Sequence, residues 1–270
     1  MKQKSNKVGL YTLALLTMGL SLCSCHKSKN NNSSGNAVTC KVAGIMQYGT
    51  DTSYYLQYYF SYNSSGTVSK ISVVESHSNI YDIVFAYSNN LIIARRLLPG
   101  DTMTFSKDTI VLDDQKRVIH IGHISNGSGP SYEQFLYDDS GYVFFHSNKS
   151  YTDNYYNYTD TLKWSNGDIT KERVYFPYDY YYNQKNAYNY SSQLYKLGNT
   201  TARINDYVNY GMEIYNSKHL ITSTNDTSYY YSSPTDTTYS YNFDSFGNIT
   251  FIGKIPKGQL TETKIVYNCQ

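Results

Sequence analysis

A pattern of turn and aromatic residues recurs eight times along this chain, every 25 to 28 residues. The clearest copies are Phe60-Ser-Tyr62-Asn-Ser-Ser-Gly66-Thr-Val68, Phe135-Leu-Tyr137-Asp-Asp-Ser-Gly141-Tyr-Val143 and Tyr241-Asn-Phe243-Asp-Ser-Phe-Gly247-Asn-Ile249. The residue before each turn is Tyr62, Tyr87, Leu112, Tyr137, Trp164, Tyr190, Tyr215 and Phe243 in order. A fixed period of this size marks a repeat architecture. Some copies depart from it: Tyr87-Ser-Asn-Asn-Leu91 and Tyr190-Ser-Ser-Gln-Leu194 lack the glycine, and Leu112-Asp-Asp-Gln-Lys-Arg-Val118 lacks both aromatic and glycine. Trp164-Ser-Asn-Gly167-Asp-Ile169 carries an Asn-Gly pair, a strong short hairpin signal.

Asn, Asp and Ser hydrogen-bond their own backbone in turns, and Gly adopts a positive φ without steric cost. Period-two strands flank each turn. Leu56, Tyr58, Phe60 and Tyr62 share one face, as do Tyr239, Tyr241 and Phe243 against Ser240 and Asn242. Such alternation suits half-buried antiparallel strands. The expected fold is all-β: an antiparallel, up-and-down array of about eight β-hairpins curling into a barrel-like body. Eight hairpins give about sixteen strands, with the segments around Cys40 and Cys269 counted as additional terminal ones. A barrel of that size has a wide lumen unless it flattens or fills. Ser, Thr, Asn and Lys fall on both strand faces, which disfavours a lipid-facing wall.

Lys2, Lys4 and Lys7 precede an apolar stretch from Val8 to Leu22, followed by Leu22-Cys23-Ser24-Cys25. The stretch is too short and interrupted for a transmembrane helix. Leucine at −3 and a small residue at −1 before Cys25 resemble the lipobox of bacterial lipoprotein signal peptides, which implies lipidation at Cys25; the alternative is a cleaved soluble secretory signal. Residues 1–24 are therefore expected to be a lipoprotein signal peptide. Residues 25–37 are a lipidated Cys and flexible tether, too polar to bury a core. Residues 38–270 form a single domain. Of 23 basic residues the signal removes three and no acid, leaving 20 against 21, so the formal +2 becomes −1. A near-neutral chain argues against nucleic acid as a partner. The expected membrane contact is the N-terminal lipid.

Two cysteines remain, near opposite ends of the folded region. Cys40 in Val38-Thr-Cys40-Lys-Val42 and Cys269 in Ile265-Val-Tyr267-Asn-Cys269 each lie on the apolar face of an alternating strand. A compartment beyond the inner membrane permits disulfides, so a Cys40–Cys269 bond is expected; the alternative is two buried thiols.

The chain has 33 Tyr and one Trp. Tyrosine has high strand propensity and a hydroxyl that tolerates water, so its main role is expected to be structural. A glycan platform is the competing role. Its best candidate is Tyr175-Phe-Pro-Tyr178-Asp-Tyr180-Tyr181-Tyr182-Asn183, which breaks the alternation and would expose Tyr175, Tyr178, Tyr180, Tyr181 and Tyr182. His120-Ile-Gly-His123 resembles half a metal site, but residues three apart on a strand point to opposite faces. No metal and no cofactor are expected. Asp113-Asp114 and Asp138-Asp139 sit where turns call for Asp. Phosphate loops, nucleophile elbows and Cys/His arrangements are missing from the sequence, so no catalytic residues are assigned. Asp101-Thr102-Met103, Asp108-Thr109-Ile110, Asp160-Thr161-Leu162 and Asp236-Thr237-Thr238 resemble bacterial O-glycosylation sites, although Asp-Thr also simply opens strands.

The unit [Tyr/Phe]-[Asp/Asn]-x-x-Gly-x-[Val/Ile] resembles the tyrosine–aspartate repeat of Rhs-type proteins, without the Arg usual after the glycine. The chain as a whole is more similar to lipobox-bearing outer-membrane lipoproteins of unknown function with a porin-like β fold, over nearly all of residues 38–267. That resemblance implies a porin-like body anchored to the outer membrane, and no catalytic residues. The function expected is a non-catalytic, lipid-anchored envelope protein that binds a glycan or envelope polymer. The alternatives are a structural or assembly lipoprotein and a carrier of an apolar ligand inside the barrel.

Overall fold

A computed structural model describes residues 40–49, 55–75, 78–101, 103–151, 157–178, 183–194, 209–210, 212, 214–215, 217–228, 235–256 and 261–269. Residues 1–39, with the signal, Cys25 and the tether, lie outside them.

Sixteen antiparallel strands follow one another around a closed barrel in sequence order. They are β1 (Cys40–Tyr48), β2 (Tyr55–Tyr62), β3 (Val68–Glu75), β4 (Ser78–Ser88), β5 (Leu91–Leu97), β6 (Thr104–Leu112), β7 (Val118–Ser125) and β8 (Ser128–Tyr137), then β9 (Val143–Ser150), β10 (Tyr158–Ser165), β11 (Asp168–Tyr175), β12 (Gln184–Leu194), β13 (His219–Ser228), β14 (Thr235–Phe243), β15 (Ile249–Pro256) and β16 (Thr261–Cys269). The strands around Cys40 and Cys269 belong to the sixteen and are not additional to them. The reason lies at Tyr215: it sits between β12 and β13 and opens no hairpin of its own. Seven repeats supply fourteen strands, and the two terminal strands complete the ring. Cys40 and Cys269 face each other across β1 and β16, with their sulfurs bonded at 2.06 Å.

The short turns share one construction. Asn63, Asp113, Asp138 and Asp244 each accept, through Oδ1, the amide four residues on, at 2.8–3.0 Å. In three of these turns the position-four residue is glycine at positive φ: Gly66 (85°), Gly141 (84°) and Gly247 (75°). In the fourth, Lys116 adopts it at 64°. The register slips by one residue at the anchor in each, as a type I turn followed by a left-handed bulge residue requires. The [Asp/Asn]-x-x-Gly part of the repeat is therefore a turn specification.

The aromatic part does a different job. The Tyr62 hydroxyl donates to the Val42 carbonyl at 2.7 Å, Tyr87 to Val68 at 2.7 Å, Tyr137 to Val118 at 2.8 Å, Tyr190 to Ile169 at 2.7 Å and Tyr241 to Ile221 at 2.8 Å. The Trp164 indole N–H reaches the Val143 carbonyl at 2.6 Å. Turns join each even strand to the odd strand after it. These bonds join each even strand to the odd strand before it, at the same end, where no turn connects them. Leu112 has no such donor. At its seam Lys116 Nζ takes over, donating to the Asn89 carbonyl and Asn90 Oδ1 at 2.6 Å each.

The apolar strand faces point inward. Ile71, Ile83, Ile110, Ile121, Ile169, Ile221 and Ile252 are fully buried, and one continuous cluster runs from Val42 on β1 to Ile265 on β16. Side chains thus fill much of the lumen. Part of the connection between β12 and β13 joins this filling: Tyr210 and Ile214 are buried within it. That connection enters from the end that carries the short turns. His219 fixes its exit by donating N–H to Asp168 Oδ1 at 2.8 Å, with its Nδ1 2.7 Å from Asp168 Oδ2. On the outer wall, exposed Arg95, Lys163, Lys171, Arg173 and Lys185 stand within their strands. A wall with charges at mid-strand is not the apolar band that hydrocarbon requires.

Candidate functional site: a polar cup in the lumen

Along β8 to β15 the inward alternation carries polar residues in place of aliphatic ones. Cross-strand register assembles them into rows. Phe135, His146, Asp160 and Val174 form one row across β8 to β11, and Leu162, Glu172, Asn186 and Asp226 another across β10 to β13. Together with Glu133, Tyr158, Tyr188, Tyr210, Tyr215, Tyr239 and Lys254 they line a cavity of about 490 Å3. Its base is buried: Phe135, His146, Asp160, Leu162, Tyr210 and Ile214 are each less than 10% exposed. Glu172, Asn186, Asp226, Tyr239 and Lys254 are half-buried. The site is a cup in the lumen, with Tyr210, Ile214 and Tyr215 among its lining.

Beside the base lies an ion network. Asp108 is 1% exposed and takes Arg96 at 2.6 Å and His123 Nδ1 at 2.9 Å. His123 Nε2 and His146 Nε2 approach the two oxygens of Glu133 at 2.8 Å each, and the Tyr210 hydroxyl adds a bond at 3.2 Å. Burial alone would raise the Glu133 pKa, but hydrogen bonds from the two histidines outweigh it and hold the carboxyl at about 2. Burial would lower that of His123, but bonds to Asp108 and Glu133 carry it to about 9. A protonated His123 thus locks two buried carboxylates.

The upper wall is organised differently. Glu172 Oε2 accepts from Asn186 Nδ2 at 2.7 Å and from the Tyr188 hydroxyl through a short hydrogen bond. Asn186 Oδ1 is buried with no donor near it. Burial raises the Asp226 pKa; Lys254 opposes this, while Glu172 and Asp236 add to it.

Of the five tyrosines expected to form a platform, Tyr175 and Tyr178 are not among the residues that line this cup. Tyr175 ends β11 facing outward and Tyr178 follows it; both are exposed, at 48% and 60%. Tyr180, Tyr181 and Tyr182 lie outside the described residues. Their loop touches the cup through Phe176, whose ring packs 5.5 Å from that of Tyr158. His120 and His123 face opposite ways, His120 against the Tyr132 ring outside and His123 into the lumen. No group of metal-binding side chains occurs among the described residues. Thr237 is buried, while Thr161 is exposed on the outer wall. The cup residues do carry a sequence signal: Glu133, Asp160, Glu172 and Asp226 are acids at the inward phase of alternating strands.

No protein-family model matches the chain, and no curated protein matches it by sequence. Solved structures do share its shape. A porin-like protein from Bacteroides uniformis aligns with a TM-score of 0.59 at 13% identity, covering 85% of this chain and 96% of that one. A porin-like protein from Bacteroides vulgatus aligns with a TM-score of 0.57 at 13% identity, covering 84% and 98%.

Proposed function

We propose that this porin-like barrel is a non-catalytic, lipid-anchored binding protein of the bacterial cell envelope, attached to the outer membrane through Cys25, and that a glycan or fragment of envelope polymer enters its luminal cup. The observation that carries the reading is the lining: tyrosine rings interleaved with carboxylate and amide acceptors above a buried base. Aromatic faces stack on sugar rings, and acceptors take hydroxyl protons. The volume falls within the range of about 300–1,000 Å3 typical of small-ligand pockets. The same polarity counts against an apolar cargo, whose burial would strand those acceptors without water. The lipid anchor is supported by the lipobox-like Leu22-Cys-Ser-Cys25, and mass analysis of the N-terminal peptide from the native host tests it.

A glycan and lipid binding screen on the purified protein tests the ligand class. Glycan binding abolished by Tyr188→Ala supports the reading; lipid binding favours the carrier, and silence in both favours a structural role. Glu172 and Asp226 stand two strands apart, about 10 Å by strand spacing. Cleavage of a bound glycan on prolonged incubation would replace binding with hydrolysis.

A further inference from the structure

We infer that the outer wall of β10 to β12 binds an acidic polysaccharide, a chain of sugar rings that carry carboxylates. This surface is separate from the cup, and the inference stands whether or not the lumen takes a ligand. Lys163, Lys171, Arg173 and Lys185 alternate along their strands with the cup-lining Leu162, Glu172 and Asn186, so they project from the opposite face, and all four are exposed. Register sets Lys163 directly opposite Lys171, and Arg173 directly opposite Lys185. Opposed side chains start about 5 Å apart, and the two pairs lie about 7 Å apart along β11. Like charges so placed destabilise a sheet. The acids of β9 to β13 do not offset them: Asp160, Glu172 and Asp226 line the lumen, and Asp168 is buried against His219. On β14 the outward Asp236 is engaged by Asn225 Nδ2 at 2.7 Å. The four cationic side chains make no ion pair or hydrogen bond. Elsewhere on the wall Lys70 has Asp82 at 3.1 Å, and Lys41 and Lys264 lie over the rings of Tyr62 and Tyr48. Arg95 opposite Lys107 is a single such pair, with no second pair beside it.

Charge and surroundings name the ligand class. One exposed ion pair is worth little in water, so a small anion gains little here. A polymer engages the cations together, each contact raising the local concentration of the next charge. The Arg173 guanidinium can hold a carboxylate through two parallel N–H bonds. Tyr175 follows Lys171 and Arg173 on the same outward phase of β11 and is exposed, so its ring face is open to a sugar ring. The track from Lys171 through Arg173 to Tyr175 therefore joins charge to an aromatic face along one strand. Thr161, Ala187, Asn189 and Asn225 beside it are small or polar and give lipid tails little to bury.

Titration of the purified protein at low salt with polygalacturonate, polyglutamate and phosphatidylglycerol vesicles tests this. Polygalacturonate should bind at least about tenfold more tightly than polyglutamate, and its affinity should fall steeply as salt is added. Combining Lys163→Gln, Lys171→Gln, Arg173→Gln and Lys185→Gln should weaken polygalacturonate at least about tenfold. That variant should melt no lower than the parent, because it removes a repulsion. Tyr175→Ala should bring polygalacturonate down to the level of polyglutamate, while Arg95→Gln with Lys107→Gln should leave it unchanged. The comparison among probes needs no variant. Equal binding of polygalacturonate and polyglutamate overturns the sugar. Vesicles bound more tightly than polygalacturonate overturn it in favour of a membrane surface. Polygalacturonate binding that survives the fourfold variant overturns the site, and no binding of polygalacturonate overturns the inference outright.

Discussion

The hydroxyl of Tyr137 donates to the carbonyl of Val118 at 2.8 Å across a seam between successive hairpins. Tyrosine makes the same bond at four other seams and tryptophan at one. Each tie replaces a missing turn, holding two strand ends together where the chain itself does not. Tyr137→Phe keeps the ring and removes the bond. It should cost about 1 kcal/mol in urea unfolding, as should Tyr62→Phe and Tyr190→Phe. The three seams are separate, so the triple variant should lose about 3 kcal/mol. A triple variant no weaker than a single one would show that the ties carry no load.

Those hydroxyls also set an alkaline limit. Burial pushes the pKa of Tyr87 and Tyr137 up to about 12, and that of Tyr241 rises for the same reason. A neutral phenol favoured by the fold stabilises it below the unfolded value of 10.0, and that stabilisation is lost as pH climbs toward 12. Phenolate absorbance and loss of sheet signal should therefore rise together above pH 10. Full ionisation of all tyrosines with the barrel intact would contradict this.

The Glu133 network works in the acid and neutral range. Glu133 falls from 4.5 to about 2 on folding, so its contribution is present above 4.5 and lost as pH drops toward 2. His123 rises from 6.5 to about 9, so its contribution is full below 6.5 and lost as pH rises through 9. Stability should peak between pH 4.5 and 6.5. Glu133→Gln should flatten the acid limb, measured as urea midpoint against pH.

The Cys40–Cys269 bond spans 229 residues of sequence. Closing so long a loop stabilises by about 5 kcal/mol in the chain-entropy model. Reduction, or the Cys40→Ala variant, should lower the urea midpoint without changing the urea dependence per strand paired. An unchanged midpoint under reductant would show that strand pairing alone closes the ring.

Adjacent aspartates should behave unlike each other. Asp138 Oδ1 accepts the amides of Ser140 and Tyr142 at 2.9 Å each, whereas Asp139 points into solvent. Asp138→Ala should cost about 1–2 kcal/mol, and Asp139→Ala should stay within about 0.5 kcal/mol of the parent in the same melts.

The barrel was legible in the sequence because its turns are local. Asn63 and Gly66 write a turn within four residues, and period two says which side chains face in. The miscount at Tyr215 had a physical cause. An aromatic followed by Asn and Ser reads as a hairpin, yet Tyr215 packs its ring against Phe135 and His146 in the lumen. Nothing local marks a segment that turns inward. The cup was harder still, since Glu133 and Glu172 meet only through register across several strands. Their one local mark is an acid at the inward phase of an alternating strand. Runs such as Tyr180-Tyr181-Tyr182 are visible in one dimension, whereas a row across strands is not.

Cys40 and Cys269 lie at the end of the barrel that carries the short turns. If a lipid holds the chain by its N-terminus, the rim of short turns is the one that the anchor draws toward the membrane. The opposite rim, where β1 runs on toward β2, would then be the part that meets the space beyond.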